Sequence, residues 1–397
     1  MVSRLLEGPL RELMGRYPTV TLTGPRQSGK TTACRQAFPD LPYANLEAGD
    51  VRDFALRDPR GFLGSYPDGA ILDEVQRAPE LLSYVQVLVD EERKNGRFLL
   101  TGSSQLELDS RISQSLAGRT AMLELLPLSI AEARSFGVAP STDEWIYSGF
   151  YPRLYDQGIE PTRALGDYVE TYVERDVRQL LQVRDLVTFR RFLGICAGRT
   201  GGILNASNLA NDVGISHVTV REWLSVLEAS YVLFRLPPYF ANVGKRLVKS
   251  PKLYFYDVGL AAYLCGIEDA RQIATHPLRG AFFENLCIVE AIKQRTHRGQ
   301  RARFFFYRDS SGTEIDLLAQ HGGSWVAIEI KSAATLNGRF FDSLGRADAL
   351  LGEPVHERIL VYDGEPLPRR EGARVVRPEG LAEVLGSLDA PPAERAP

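Results

Sequence analysis

Two groupings of residues in this chain have the types and spacing that chemistry needs. The first is the stretch TVTLTGPRQSGKTT, in which Gly24 and Gly29-Lys30-Thr31 follow an apolar run and open a helical pattern. Glycines so placed let the loop Gly24-Pro25-Arg26-Gln27-Ser28-Gly29, continued by Thr32, curl its backbone around a phosphate chain at a helix N-terminus. Lys30 would reach the β- and γ-phosphates of ATP, and Thr31 would hold Mg2+. Further along, AILDE is an apolar strand ending in Asp73-Glu74. Asp73 suits the metal, directly or through water, and Glu74 suits orienting and deprotonating an attacking water. Thr101 and Ser103, in LLTGSS, offer hydroxyls to the γ-phosphate or the water, or else cap a strand end. Arg119 reads as an arginine finger, a γ-phosphate sensor or a plain surface arginine.

The second grouping is GTEIDLLAQHGGSWVAIEIK, residues 312–331. Asp316 and Glu329 on adjacent strands could converge on a divalent cation through oxygen ligands. Lys331 lies two residues beyond Glu329, hence on the same face, where it could stabilise charge or place a water. Glu284, in the helical stretch AFFENL, could complete the site. Metal-assisted attack of water on a phosphodiester uses these parts. The plain alternative is a half-buried strand whose isoleucines alternate with polar residues.

These residues need elements to position them. TVTLTG (19–24), GAILDE (69–74) and RFLLTGS (97–103) read as buried strands, separated by a helix ending at Gly96, as in an α/β domain. Residues 129–199 read as mostly helical, with a break at YSGFYPRLYD. Within 200–256, LANDVGISHVTVREWL has helix-turn-helix spacing: Ala210 at the close approach, Gly214 in the turn and Val220 beneath. Ser216, His217, Thr219 and Arg221 would project from the second helix. The following stretch, Arg235 to Lys252, has five basic residues and no acidic one, which suits a wing touching phosphates. Within 257–380 a helix from about residue 279 precedes three strands; residues 381–397 read as a disordered tail, by the Pro/Ala-rich LDAPPAERAP.

The chain's 397 residues allow several domains, and a formal net charge of −3 confines any nucleic-acid contact to a local patch. Cys34, Cys196, Cys265 and Cys287 show no paired spacing, and no eighteen-residue apolar run occurs, so a cytoplasmic protein without membrane contact is expected.

TLTGPRQSGKTT, AILDEVQRAPELL, FLLTGSS and SLAGRTAMLELLPLSIAE together resemble the prokaryotic AAA-type ATPases that carry a C-terminal domain of unknown function. The resemblance continues through YVERDVRQL, YFYDVGLAAYL and RGAFFENLCIVEAIK, nearly the whole chain. It implies an AAA+-like P-loop ATPase domain over 1–128, using ATP and Mg2+ in a homo-oligomer. Glu284, Asp316 and Glu329-x-Lys331 resemble the PD-(D/E)xK restriction-endonuclease-like layout, with Ile315 where a proline usually stands. The expectation is therefore an ATPase domain, a winged helix-turn-helix module and a nuclease-like α/β domain. Its function is either ATP-dependent processing of DNA or an ATP-switched regulator that binds DNA or protein without cutting.

Overall fold

The computed structural model of the chain describes residues 2–103, 115–173, 185–239, 248–321 and 323–389. Five strands, β1 Thr19–Thr23, β2 Tyr43–Asn45, β3 Ala70–Asp73, β4 Phe98–Thr101 and β5 Thr120–Glu124, form one parallel sheet in the order β2-β3-β4-β1-β5. Parallel strands are covered on both faces, which demands continuous apolar runs, and β1, β3 and β4 are buried at every position. Helices α1 (Glu7–Arg16) and α2 (Lys30–Ala37) flank β1, and α3 (Leu81–Glu92) precedes β4. The sequence places the end of α3 at Gly96; it ends at Glu92, because Arg93 turns left-handed (φ 52°).

The expected break at YSGFYPRLYD is present. Gly149 (φ 67°) stops the helix Thr142–Ser148, and Pro152 opens the next at its first position. Helix α4 (Ala206–Val213) turns through Gly214, left-handed at φ 83°, into α5 (His217–Ala229). Ser216 caps α5 by accepting the Thr219 N–H at 3.0 Å, and Ala210 and Val220 are buried between the helices as their spacing predicts. Strands β6 (Leu233–Leu236) and β7 (Lys252–Phe255) pair antiparallel as a ribbon.

Helix α6 (Arg279–Thr296) leads into an antiparallel run of β8 (Phe304–Arg308), β9 (Glu314–His321) and β10 (Ser324–Lys331). Short helical turns over 338–351 then carry the chain to β11 (Val355–Tyr362), parallel to β10. Strands β12 (Leu367–Arg370) and β13 (Ala373–Val376) complete a sheet of order β12-β13-β11-β10-β9-β8. The plain half-buried reading of AIEIK fails here. β10 is buried on both faces from Trp325 to Ile330, so Glu329 sits 7% exposed.

The expected tail is also corrected over 381–389, while 390–397 lie outside the described residues. Leu381–Asp389 is a helix, α7, whose Leu381, Val384 and Leu385 pack against α6. Those three apolar positions lie at helical spacing, a local signal that the proline-rich stretch after them masks. Among the described residues, no helix is long and apolar enough to cross a membrane.

Candidate functional site

Parallel strands put all their C-terminal ends on one edge, and there β1 runs into the glycine loop while β3 ends at Asp73. Gly24 takes φ 144°, and a side chain on it would meet the Leu125 carbonyl at 2.2 Å, so only glycine fits. Gln27 (φ 60°) and Gly29 (φ 89°) continue the curl. Lys30, 6% exposed at the start of α2, donates to the carbonyls of Gly24 at 2.9 Å and Pro25 at 2.7 Å. Burial depresses its pKa to about 8, against the opposing pull of the Glu74 and Asp73 carboxylates. Thr31 Oγ1 donates to Asp73 Oδ2 at 2.8 Å, and Tyr43 donates to the same oxygen at 2.6 Å. Thr101 donates to the other Asp73 oxygen.

Glu74 follows in a left-handed conformation (φ 56°), which turns it out of the strand. Its carboxylate accepts from Gln76 and, at 3.3 Å, from Ser103. Loop, lysine, Thr31–Asp73 pair and a held glutamate are the donor set that Mg-ATP requires, so the residues fit both. Ser103 thus acts on Glu74 rather than as a bare strand cap. Arg26 stacks over Tyr172, 5.5 Å from its ring centroid, and Thr32 is exposed in the first turn of α2.

Of the readings of Arg119, the one as a γ-phosphate sensor of its own chain is corrected. It precedes β5, whose Thr120 pairs with Thr19 at the start of β1, whereas the loop follows the end of β1. A five-residue strand separates those edges by roughly 16 Å, and Arg119 forks onto Asp90 at 2.6 and 2.8 Å. It does not reach the phosphate loop of its own chain.

The sequence gives no hint of Arg4, which holds the loop from beneath. Its buried guanidinium donates to Ser28 O at 2.7 Å, Leu126 O at 2.8 Å and Glu132 Oε1 at 3.0 Å. Glu132 in turn lies 3.2 Å from His297 Nδ1, just past the end of α6.

The second grouping also comes together, with different members. Glu284 on α6 and Glu314 and Asp316 on β9 bring one carboxylate oxygen each within 4.8 Å of one another. Glu329 is not in that trio. It binds Lys331 Nζ at 2.5 Å and Ser343 Oγ at 2.8 Å, and burial together with the neighbouring Asp316 charge raises its pKa to about 8. Asp316 accepts from the Ile330 N–H at 2.8 Å and lies 3.5 Å from Lys331 Nζ. Glu314 was legible in principle, since EID puts it two residues before Asp316 on the same face.

Lys252 belongs here and not on a basic wing. It is 2% exposed, 2.8 Å from Glu284 and bonded to Glu314. Burial alone would depress its pKa, but Glu284, Asp316 and Glu314 hold it above the usual lysine value. Burial and the Asp316 charge push Glu284 upward, with Lys252 and Tyr254 opposing. Arg235 is also spent, on Glu228. Of the five basic residues, Lys249 is exposed, while Lys245 and Arg246 lie outside the described residues. Ser216, His217 and Arg221 are exposed on α5 and Thr219 is half-buried.

Residues 16–134 match the family described as an AAA domain. Residues 140–271 and 279–378 match two domains of unknown function, DUF8612 and DUF4143. The uncharacterized proteins Mb2031c of Mycobacterium bovis and Rv2008c of Mycobacterium tuberculosis are each 32% identical over 384 residues, 96% of this chain and 84% of theirs. The chain belongs to their family. The uncharacterized protein MJ1544 of Methanocaldococcus jannaschii is 23% identical over 328 residues, 74% of this chain and 70% of its own. Among solved structures, the Walker-type ATPase paby2304 of Pyrococcus abyssi covers 65% of this chain and 94% of its own, at 15% identity and a TM-score of 0.45. By the family match, residues 16–134 are an AAA domain. The nuclease likeness of the C-terminal part finds no support in these matches, which name it only as a domain of unknown function.

Proposed function

We propose that the chain binds Mg-ATP at the glycine loop and hydrolyses it, with Glu74 as the base. The observation that carries this is the Thr31–Asp73 contact of 2.8 Å beside a glutamate gripped by Gln76 and Ser103. Lys30 neutralises the β- and γ-phosphates, and Thr31 and Asp73 hold the ion, which supplies further neutralisation of the phosphate charge. Glu74, on its left-handed turn, orients the attacking water and takes its proton. Glu74→Gln keeps the shape and loses the base. ATP hydrolysis should fall by about 10²-fold or more while ATP stays bound; turnover equal to the unmodified protein would remove Glu74 from that role.

The C-terminal half supports a second element of the reading. Helix, three antiparallel strands, helical turns and a parallel strand carry Glu284, Asp316 and Glu329-x-Lys331, the parts of a PD-(D/E)xK-like cation site acting on phosphodiesters. Glu314 joins them and replaces Glu329 among the ligands. DNA would be contacted by the exposed His217 and Arg221 of α5 and by Lys249. On this reading, nucleotide hydrolysis in a homo-oligomer governs a nucleic-acid-directed C-terminal half whose cluster, with lysines already inside it, is held at rest.

A further inference from the structure

A trans peptide unit points its C=O and the N–H that follows to opposite sides. In a phosphate loop, the direction of one carbonyl therefore decides which way the next N–H faces. The Ser28 carbonyl accepts from Arg4 Nη1 at 2.7 Å, and Ser28 is fully buried. The Gly29 N–H thus faces away from the buried guanidinium, and among the described residues it has no acceptor. It stands at the N-terminus of α2 beside Lys30, where a phosphate chain needs donors. All three nitrogens of Arg4 are used, since Nη2 donates to Leu126 O at 2.8 Å and Nε to Glu132 Oε1 at 3.0 Å. A lysine ammonium is a single point charge and lacks the planar fork that spans three such acceptors.

Arg4 is itself held from the far side. Glu132 Oε1 also accepts the Leu5 N–H at 2.8 Å, and Glu132 Oε2 lies 3.2 Å from His297 Nδ1. Two side chains of α6 grip the same segment. Glu290 accepts the Ile130 N–H at 3.1 Å, and Lys293 donates to Leu128 O at 2.8 Å. Glu290, Lys293 and His297 follow one another at three and four positions, hence on one face, and each is at most 1% exposed. The parts that fix the loop therefore lie outside the nucleotide sheet: Arg4 precedes β1, and α6 lies far beyond β5.

We propose that Arg4, anchored on α6 through Glu132, is a positioning residue for the nucleotide's phosphates. It turns the Ser28–Gly29 peptide so that the Gly29 N–H meets the phosphate chain. This rests on the reading of the glycine loop as the nucleotide site. It makes phosphate binding depend on a helix of the C-terminal half that need not touch the nucleotide.

The test measures Mg-ADP affinity of the full chain by calorimetry, and stability without nucleotide by urea unfolding. Arg4→Lys keeps the charge beside Glu132 and gives up the three-way grip, so Mg-ADP affinity should fall at least about tenfold. Arg97→Lys is the matched control. Arg97 is also buried, donates to Tyr66 O at 2.7 Å and forks onto Glu92, but it precedes β4, at the opposite end of the sheet from the loop. It should lose stability and keep its Mg-ADP affinity. Affinity kept in Arg4→Lys, or lost equally in Arg97→Lys, overturns the positioning role. A second variant, Arg4→Met with Glu132→Met, replaces the buried ion pair by apolar side chains of similar volume, a change folded proteins often bear. It should lose Mg-ADP affinity to the same extent; affinity equal to the unmodified chain's overturns the proposal even where Arg4→Lys fails to fold. His297→Leu, which leaves Arg4 and Glu132 in place, should weaken Mg-ADP by about threefold or more, and unchanged affinity overturns the anchoring on α6. An unmodified chain that binds no Mg-ADP overturns the nucleotide-site reading itself, and the positioning role with it.

Discussion

Lys30 is a buried ammonium whose pKa lies at about 8, lowered by burial against the pull of Glu74 and Asp73. Below that pH the folded protein carries the cost of a buried charge; the cost is relieved as pH rises from about 8 towards the unfolded value near 10.5. ATP reverses the preference, because its phosphates pair with the charged form. Nucleotide affinity should therefore fall as pH rises through about 8, and binding at that pH should take up a proton. Calorimetric titration between pH 7 and 9.5 in buffers of different ionisation enthalpy measures both. Affinity unchanged across that range, with no buffer dependence, would mean that Lys30 keeps its proton throughout. At this scale the sequence was most readable where partners are close along the chain. Gly24 to Thr31 lie on one loop, and Asp73-Glu74 end one strand. Arg4 and Lys252 were not readable, because Arg4 meets Glu132 across 128 positions and Lys252 meets Glu284 across 32. Only the folded backbone supplies those neighbours.

Among the elements, apolar runs identified β1, β3 and β4, since parallel strands buried on both faces must be continuously apolar, whereas β9 and β10 were read as strands despite the charges of Asp316 and Glu329. The helix-turn-helix pattern was equally legible, because Gly214 and Val220 answer to local geometry. Composition misled at the C-terminus, where prolines after residue 389 concealed a short amphipathic helix. α7 buries Leu381, Val384 and Leu385 against α6, the helix that bears Glu284. Leu385→Ala should destabilise the fold by about 2–5 kcal/mol, as other buried leucines do when truncated. Urea unfolding followed by circular dichroism measures it. A change below about 0.5 kcal/mol, the level of ordinary surface substitutions, would show that α7 does not dock. The exposed Glu383 offers the matching control on the opposite face of the same helix.

For the whole molecule, pattern along the chain suggests divisions at 199/200 and 256/257, whereas the core ignores both. One hydrophobic cluster runs from Leu126 and Trp145 through Phe192, Trp223 and Tyr254 to Phe283 and Leu385. The ATPase sheet has its own clusters, one with Leu72, Val85 and Leu100 and another with Leu10, Val20 and Leu123, while the second face of the C-terminal sheet is covered separately by Trp325 and Phe341. Segments that share a core lose their packing together, because exposing one face strands the other in water. Helices Leu186–Ala197, α5 and α6 should therefore open as one cooperative unit despite belonging to three stretches of sequence. Hydrogen exchange of the unmodified protein, read peptide by peptide in rising urea, tests this. The slowest amides of the three helices should converge on one opening free energy with one urea slope, distinct from that of β1, β3 and β4. Saturating Mg-ATP should raise the opening free energy of those three strands first, since the nucleotide is held at their ends. The common unit should follow to the extent that Arg4, bonded to Ser28 O at one end and Glu132 at the other, transmits the added stability to α6. Three separate opening energies for the three helices would show that the shared cluster does not bind them into one unit.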